Sequence, residues 1–162
     1  MVKIRLIEAK DVDEVMELFS YAQNFMKENG NPSQWGNFHP PRKLIEQDAA
    51  DKIGYVIENN EGIAGYFALI FGDDPTYRDI EGRWLNNFEY ATIHRLGGNG
   101  KQKGIFKIAT DFAFSKINNV RIDTHITNKI MLHLFEKYDF TYCGYVKIED
   151  GTTRHVYQKY IG

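Results

Sequence analysis

Between a strand-like run and a helix-like run lies Arg95-Leu96-Gly97-Gly98-Asn99-Gly100-Lys101-Gln102-Lys103-Gly104-Ile105-Phe106. Glycine and lysine dominate this stretch, and such loops can aim a row of backbone N–H groups at an anion. The helix that follows adds the positive end of its dipole, which also favours a phosphate. The stretch therefore predicts a phosphate-bearing ligand at a strand-to-helix turn.

The spacing within this stretch excludes two common phosphate loops. A Walker loop needs glycine, four residues and then Gly-Lys-Ser/Thr, but Gln102 follows Gly100-Lys101 and Arg95 stands where the first glycine belongs. A dinucleotide fingerprint needs Gly-x-Gly-x-x-Gly, and Lys103 stands at its third glycine. Neither a P-loop kinase nor a Rossmann domain fits the chain.

Hydrophobic periodicity predicts about seven strands and about four helices around the stretch. The strands are expected at 2–7, 53–58, 63–71, 88–96, 120–125, 140–148 and 154–160, and the helices at 12–28, 42–52, 103–116 and 128–138, the last capped by Thr127. Their order, β-α-α-β-β-β-α-β-α-β-β, is typical of a mixed α/β sheet in a single domain across residues 1–162. Because a helix joins the fourth strand to the fifth, these two are expected to be parallel neighbours.

Composition excludes several classes of protein. The 162 residues carry a formal net charge of −2, which argues against a general nucleic-acid binder. Cys143 is the single cysteine, so it forms no internal disulfide, and no apolar run reaches the length of a membrane span. The amino terminus has no signal-peptide core, so a cytoplasmic protein without membrane contact is expected. No metal is expected either, because metal-ligand spacing is missing around His39, His125, His133 and His155.

The element order and the loop together resemble the GNAT superfamily of acetyl-CoA-dependent N-acetyltransferases over residues 3–160. The phosphate motif of that family, Gln/Arg-x-x-Gly-x-Gly/Ala, aligns with residues 101–106, where Gly104 and Ile105 match. Lys101 replaces the usual Arg or Gln and keeps a donor, whereas Phe106 replaces a small residue and is expected to crowd the cofactor or shift the helix start. The resemblance implies that strands four and five are splayed and that the backbone amides of 101–106 hold the pyrophosphate of coenzyme A.

A second matching segment follows the fifth strand. Asn128 aligns with an asparagine that contacts the cofactor arm in the family, whereas Phe135 replaces a tyrosine that protonates the leaving thiolate. Asp139 replaces a helix-ending glycine and is expected in the left-handed conformation. The cofactor-binding residues implied by the resemblance are Arg95, Leu96, Lys101, Gln102, Lys103, Gly104, Ile105, Phe106, Asn128, Met131 and Phe135.

The chemistry of acetyl transfer requires a base near the fourth strand. His94 and Glu89 are the candidates, since histidine titrates near neutral pH and a buried glutamate can act through water. Strand alternation puts the two on opposite faces unless a bulge intervenes. One of them is therefore expected to face the site.

Three functions are compatible with these residues. The leading one is transfer of an acetyl group from acetyl-CoA to a primary amine of a small molecule or a peptide amino terminus, by direct attack. A non-catalytic acyl-CoA binding or sensing domain is the alternative, because the phenyl ring of Phe135 has no proton to give. A dimeric interaction module is the third, favoured by Phe106 and the many aromatic residues, so a homodimer is a candidate assembly. Trp35 and Trp84 are interpreted as packing anchors rather than as walls of an acceptor site.

Overall fold

The computed structural model describes residues 1–30 and 40–162, so Trp35 and His39 lie outside the described residues. Within them the chain forms eight β-strands and four α-helices. The strands are β1 (Lys3–Leu6), β2 (Gly54–Asn59), β3 (Gly62–Phe71), β4 (Glu81–Gly82), β5 (Ala91–Gly98), β6 (Asn119–His125), β7 (Thr141–Lys147) and β8 (Thr153–Tyr160). The helices are α1 (Val12–Glu28), α2 (Arg42–Ala50), α3 (Ile105–Phe114) and α4 (Lys129–Lys137).

The eight strands form one mixed sheet in the order β1-β2-β3-β5-β6-β8-β7-β4. β5 and β6 are parallel, and their register comprises the pairs Ala91–Val120 and Thr92–Arg121. Because β5 and β6 have eight and seven residues, they pair at their amino-terminal ends and part beyond these pairs. The predicted mixed sheet, with a parallel and splayed pair joined by a helix, is confirmed.

Most element ends differ from the sequence prediction by one or two residues, and three differences have a clear structural reason. The helix predicted from Lys103 begins at Ile105, because Gly104 has a φ of +73° that a helix does not accommodate. The strand predicted at 88–96 lies at 91–98. The two-residue strand β4 was missed, since it exists through its pairing with β7, where Gly82 and Gly144 approach each other closely.

Contacts group the chain into two compact units. The first comprises Met1–Leu69 and His94–Ala109, and the second comprises Ile70–Ile93 and Thr110–Gly162. The core of the first unit is formed by α1, α2 and the strands next to them, with Phe19, Ile45 and Tyr66 fully buried. The single-domain interpretation stays a prediction.

The core of the second unit lies under the connection between β3 and β5. Tyr77 and Tyr90 of that connection pack with Cys143, Val146 and Val156 of β7 and β8. Trp84 packs against this cluster and donates from Nε1 to Tyr77 O at 3.3 Å. Its predicted role as a packing anchor is therefore confirmed.

Among the described helices, none combines the length with the apolar character that crossing a membrane would require.

Candidate active site

The candidate phosphate loop leads from β5 directly into α3. The φ of +73° at Gly104 is left-handed, a conformation that glycine adopts without steric cost. A Cβ built on Gly104 would meet no atom within 4 Å, so the direction a side chain would take is open. α3 starts at the next residue, and the first N–H groups of a helix lack intrahelical partners. The turn thus offers an open space beside a helix N-terminus, where an anion fits.

Two asparagines hold this loop in place. Asn99 donates from Nδ2 to Ile63 O at 3.1 Å, and its backbone N–H donates to Ala64 O at 3.2 Å. Asn59, at the end of β2, donates from Nδ2 to Lys101 O at 2.9 Å. Neither asparagine was predicted to matter, because their partners lie far along the chain. The loop is therefore clamped to the β2–β3 hairpin.

Some of the N–H groups in the loop already donate hydrogen bonds within the chain, so fewer of them can bind an anion. The backbone N–H of Lys101 donates to Asn99 Oδ1 at 3.1 Å, so this amide is already used. The Gln102 amide group is also engaged, since Nε2 donates to Lys103 O at 3.1 Å and Oε1 accepts from Asn59 at 3.2 Å. The side chains of Lys101 and Lys103 are exposed. They place two positive charges beside the open turn.

Small residues under the loop seat the start of α3. A Cβ on Gly65 of β3 would lie 2.7 Å from Ile105 Cδ1, and one on Gly98 would lie 3.2 Å from Ile105 Cγ1. Phe106 is 4% exposed, so its ring is part of the protein interior. The ring therefore does not fill the open turn, and the expectation that Phe106 crowds the cofactor or shifts the helix start stays a prediction. Leu96, further back in β5, is half-buried.

A β-bulge interrupts β5 next to the loop. Gly72 N–H donates to Tyr90 O, and Asn99 N–H donates to Ala64 O. The nine residues 64 to 72, along β3 and its end, thus face the ten residues 90 to 99, along β5 and its ends, which leaves one extra residue on the β5 side. Arg95 has a φ of +55°, unusual for a residue that is not glycine. The bulge that the sequence left open is therefore centred at Arg95.

The side chain of Arg95 is committed to a buried carboxylate. Its Nε and Nη2 donate to Asp48 Oδ2 and Oδ1 at 2.9 and 2.8 Å, which is a two-pronged ion pair. Tyr66 Oη donates to the same carboxylate at 2.5 Å. The Asp48 side chain is 2% exposed and that of Arg95 is 13% exposed. The Arg95 guanidinium is thus a core group that secures the bulge, and cofactor binding by Arg95 stays a prediction.

The two candidate bases occupy different settings. His94 is half-buried in β5 and directly precedes the bulge residue Arg95. Glu89 is exposed and lies ahead of Ala91, the first residue of β5. Glu89 therefore has no strand face, and the predicted alternation between the two residues does not apply. The setting of His94 is the more enclosed of the two.

The second motif of the sequence forms the start of α4. Asn128 is the N-cap of this helix, and its Oδ1 accepts from Met131 N–H at 3.1 Å. The predicted capping by Thr127 is wrong, since the Thr127 hydroxyl lies 2.7 Å from His125 Nδ1. Met131 is half-buried. The Asn128 carbonyl oxygen thus serves the helix itself.

Phe135 and Asp139, the two residues that depart from the family motif, lie at the carboxyl end of α4 and just beyond it. Phe135 is 0% exposed, and its ring lies 4.9 Å from that of Tyr157 between centroids. A direct cofactor contact of the Phe135 side chain does not fit this burial. Asp139 has a φ of +66°, as predicted, and Phe140 N–H donates to Phe135 O at 2.9 Å, which completes a Schellman-type helix end.

In the described parts of the chain, no three His, Cys, Asp or Glu residues are grouped as metal ligands would be. The absence of a metal stays a prediction.

Comparison with known proteins gives matches among solved structures. No family model matches the chain, and no curated protein matches it either. A GNAT-family acetyltransferase from Streptococcus agalactiae is 28% identical with a TM-score of 0.89, covering 99% of this chain and 96% of its own. A protein from Staphylococcus aureus described as an acetyltransferase is 27% identical with a TM-score of 0.69, covering 97% of both chains. A protein from Salmonella typhimurium, solved with its cofactor acetyl-CoA, is 14% identical with a TM-score of 0.62, covering 99% of this chain and 94% of its own.

The parted parallel strands, with a glycine turn entering a helix, define the acetyltransferase class of folds. Within that class, the chain resembles GNAT-family acetyltransferases over nearly its whole length, as the Streptococcus agalactiae structure shows.

Proposed function

We propose that this protein transfers an acetyl group from acetyl-CoA to a primary amine of a small molecule or of a peptide amino terminus. The observation that carries the proposal is the open Gly104 turn before α3 on a GNAT sheet. The Salmonella typhimurium neighbour with its acetyl-CoA supports the choice of cofactor. The proposal is tested by titrating acetyl-CoA and then measuring release of free thiol against a panel of amines.

The residues of the turn fit a pyrophosphate. The N–H groups that open α3 and the charges of Lys101 and Lys103 would hold it, with Gly104 leaving room for it. When bound, acetyl-CoA supplies an acetyl group activated as a thioester. Arg95 would have an indirect role at this site, because its ion pair with Asp48 secures the bulge in β5 next to the loop.

We assign proton removal from the acceptor amine to His94. An ammonium has no lone pair, so the amine must lose a proton before it attacks a carbonyl. His94 is half-buried in the strand next to the bulge, and histidine is the side chain that most readily changes charge near neutral pH. Glu89, acting through water, is the second candidate. The phenyl ring of Phe135 has no proton to give to the leaving thiolate.

His94→Ala is expected to lower kcat by about 100-fold, the usual contribution of a general base. The Kd of acetyl-CoA is expected to change less than about twofold, since the phosphate loop is untouched. Thiol release at saturating acetyl-CoA gives kcat, and calorimetry gives Kd. Glu89→Gln is the matched comparison. If Glu89→Gln loses turnover and His94→Ala keeps it, the base is Glu89.

Asn59→Ala is expected to raise the Kd of acetyl-CoA by about three- to tenfold, because the loop loses hydrogen bonds worth about 1 kcal/mol in net terms. The loosened loop then loses more conformational entropy when acetyl-CoA binds. Calorimetric titration checks this. Asn60→Ala is the matched control, since Asn60 is the exposed neighbour in the same turn. Equal affinities in both variants would show that the clamp does not order the cofactor loop.

A non-catalytic acyl-CoA sensor is the second candidate function. Phe135, buried and without an acidic proton, favours it. Binding of acetyl-CoA without turnover of any amine would select the sensor. No binding at about 50 μM, within the usual range of enzyme substrates, would contradict both candidates and leave the dimeric interaction module. A cytoplasmic location, a homodimer and the absence of nucleic-acid and membrane partners stay predictions.

A further inference from the structure

A polar cluster lies on one face of the second unit, at the carboxyl end of β6. Asp123 and His125 share this face by strand alternation, and Arg154 of β8 is paired with His125. Asp123 lies two residues beyond Arg121, the last β6 residue in register with β5. We call Asp123, Arg154 and Tyr77, which donates a hydrogen bond to Asp123, the Asp123 cluster. Its position is the carboxyl end of β6, in the second unit.

The Asp123 carboxylate has one oxygen satisfied and one that is weakly paired. Tyr77 Oη donates to Oδ2 at 2.5 Å. Tyr77 is 2% exposed, and burial together with Asp123 raises its pKa, so the phenol remains a neutral donor. Oδ1 lies 4.0 Å from Arg154 Nη1, the outer limit of an ion pair. A carboxylate accepts up to about four hydrogen bonds, so Asp123 can take a further cation.

The Arg154 guanidinium is likewise incompletely paired. Its Nε is buried and has no hydrogen-bond partner within the described structure. The 4.0 Å separation from Asp123 is longer than the roughly 2.8 Å of a charge-assisted hydrogen bond. Arginine binds carboxylates with two parallel donors, so an anion beside the guanidinium would complete its coordination. The side chains of Arg154 and Asp123 are each 15% exposed, so the pair is largely enclosed and a small part of each side chain reaches solvent.

Two titratable groups, His125 and Asp150, lie near Asp123 and Arg154. His125 has its pKa lowered by burial and by Arg154, so its ring is neutral at neutral pH. Its Nδ1 accepts from Thr127 N–H at 3.1 Å. Asp150, in the turn before β8, is exposed and accepts from Thr152 N–H at 2.8 Å. The cluster therefore presents one carboxylate and one guanidinium side by side, with the neutral imidazole of His125 and the exposed carboxylate of Asp150 as neighbours.

We propose that Asp123 and Arg154 form an acceptor subsite for an α-amino acid, with Asp123 binding the ammonium and Arg154 binding the carboxylate. A zwitterion matches the two charges in sign and supplies the partner that each lacks. It also accounts for the loose contact between Asp123 and Arg154, since both must keep donors or acceptors for the ligand. The identity of this ligand as the acetyl acceptor rests on the proposed function.

The experiment measures binding of three related probes to the full chain by calorimetry. L-leucine carries both charges, L-leucinamide lacks the carboxylate, and 4-methylpentanoate lacks the amine. L-leucine is expected to bind at least about tenfold more tightly than either of the others. Arg154→Gln is expected to remove the preference for L-leucine over L-leucinamide, with Arg154→Lys restoring part of it. Asp123→Asn is expected to remove the preference for L-leucine over 4-methylpentanoate.

Lys147→Gln is the matched control, since it removes one exposed positive charge from β7 and is expected to leave the three affinities unchanged. The preference is a ratio within one preparation, so a partly unfolded variant still reports it. Equal binding of the three probes to the wild-type chain would overturn the subsite. So would an unchanged preference in Arg154→Gln. If the preference holds but no thiol is released, the subsite stands and the proposed acetyl transfer fails. If amines are acetylated but L-leucine is not bound in preference to the other probes, acetyl transfer stands and the subsite fails.

Discussion

Gly104→Glu is expected to weaken acetyl-CoA binding by at least about 100-fold, or about 2.7 kcal/mol. The new side chain would enter the open space beside the helix N-terminus, where a Cβ meets no atom within 4 Å. It would add a negative charge where the loop offers N–H groups and two lysines to a phosphate. Calorimetric titration of the variant with acetyl-CoA measures the loss.

Backbone strain must be separated from this effect, because Gly104 has a φ of +73°. Gly72→Glu is the matched control, since Gly72 has a φ of +99° and equally open surroundings. Gly72 bonds to Tyr90, ahead of β5 and thus at the opposite end of that strand from the loop. The Gly72→Glu variant is expected to lose a similar free energy of unfolding and to keep the wild-type affinity for acetyl-CoA. Unchanged affinity in Gly104→Glu would refute the placement of the phosphate.

Asp48→Ala is expected to lower the free energy of unfolding by about 3–5 kcal/mol, the usual loss when one partner of a buried ion pair is removed. The substitution leaves the Arg95 guanidinium uncompensated and the Tyr66 hydroxyl without its acceptor. Both lie in the first unit, where the bulge of β5 depends on them. The melting temperature is expected to fall by about 10 °C.

Urea unfolding followed by circular dichroism measures this loss. Glu46→Ala is the matched control, because Glu46 lies on the same helix and makes an exposed 3.6 Å contact with Arg42. Such surface pairs contribute less than about 1 kcal/mol. A loss in Asp48→Ala no larger than that in Glu46→Ala would show that the ion pair is not what secures the bulge.

Much of the fold could be predicted because its signals are local. The hairpin of β2 and β3 followed from the turn Asn59-Asn60-Glu61-Gly62, and the parallel pairing of β5 with β6 followed from the helix between them. Asp139 was expected to be left-handed, since a helix that ends without glycine still needs that conformation. Each inference used residues within one turn or one connection. The glycine-rich loop before α3 was found in the same way, although its end at Gly104 was placed two residues too early.

Contacts between residues far apart in the sequence could not be predicted from such local signals. Arg95 pairs with Asp48 across 47 positions and Asn59 with Lys101 across 42, and no local pattern announces either pair. The resemblance implied cofactor binding by Arg95 without showing where its side chain lies. The fold places that side chain in the core.

Four residues show the division between sequence and tertiary structure most clearly. The sequence alone predicted a glycine-rich strand-to-helix turn that ends near Gly104, since glycine spacing and helix periodicity are properties of neighbouring residues. Tertiary structure alone decided that Phe135 packs inward and that Asp123 and Arg154 lie side by side, because burial and charge pairing depend on strands brought together by folding. Backbone preferences act between neighbouring residues, whereas packing joins residues that are distant in the chain.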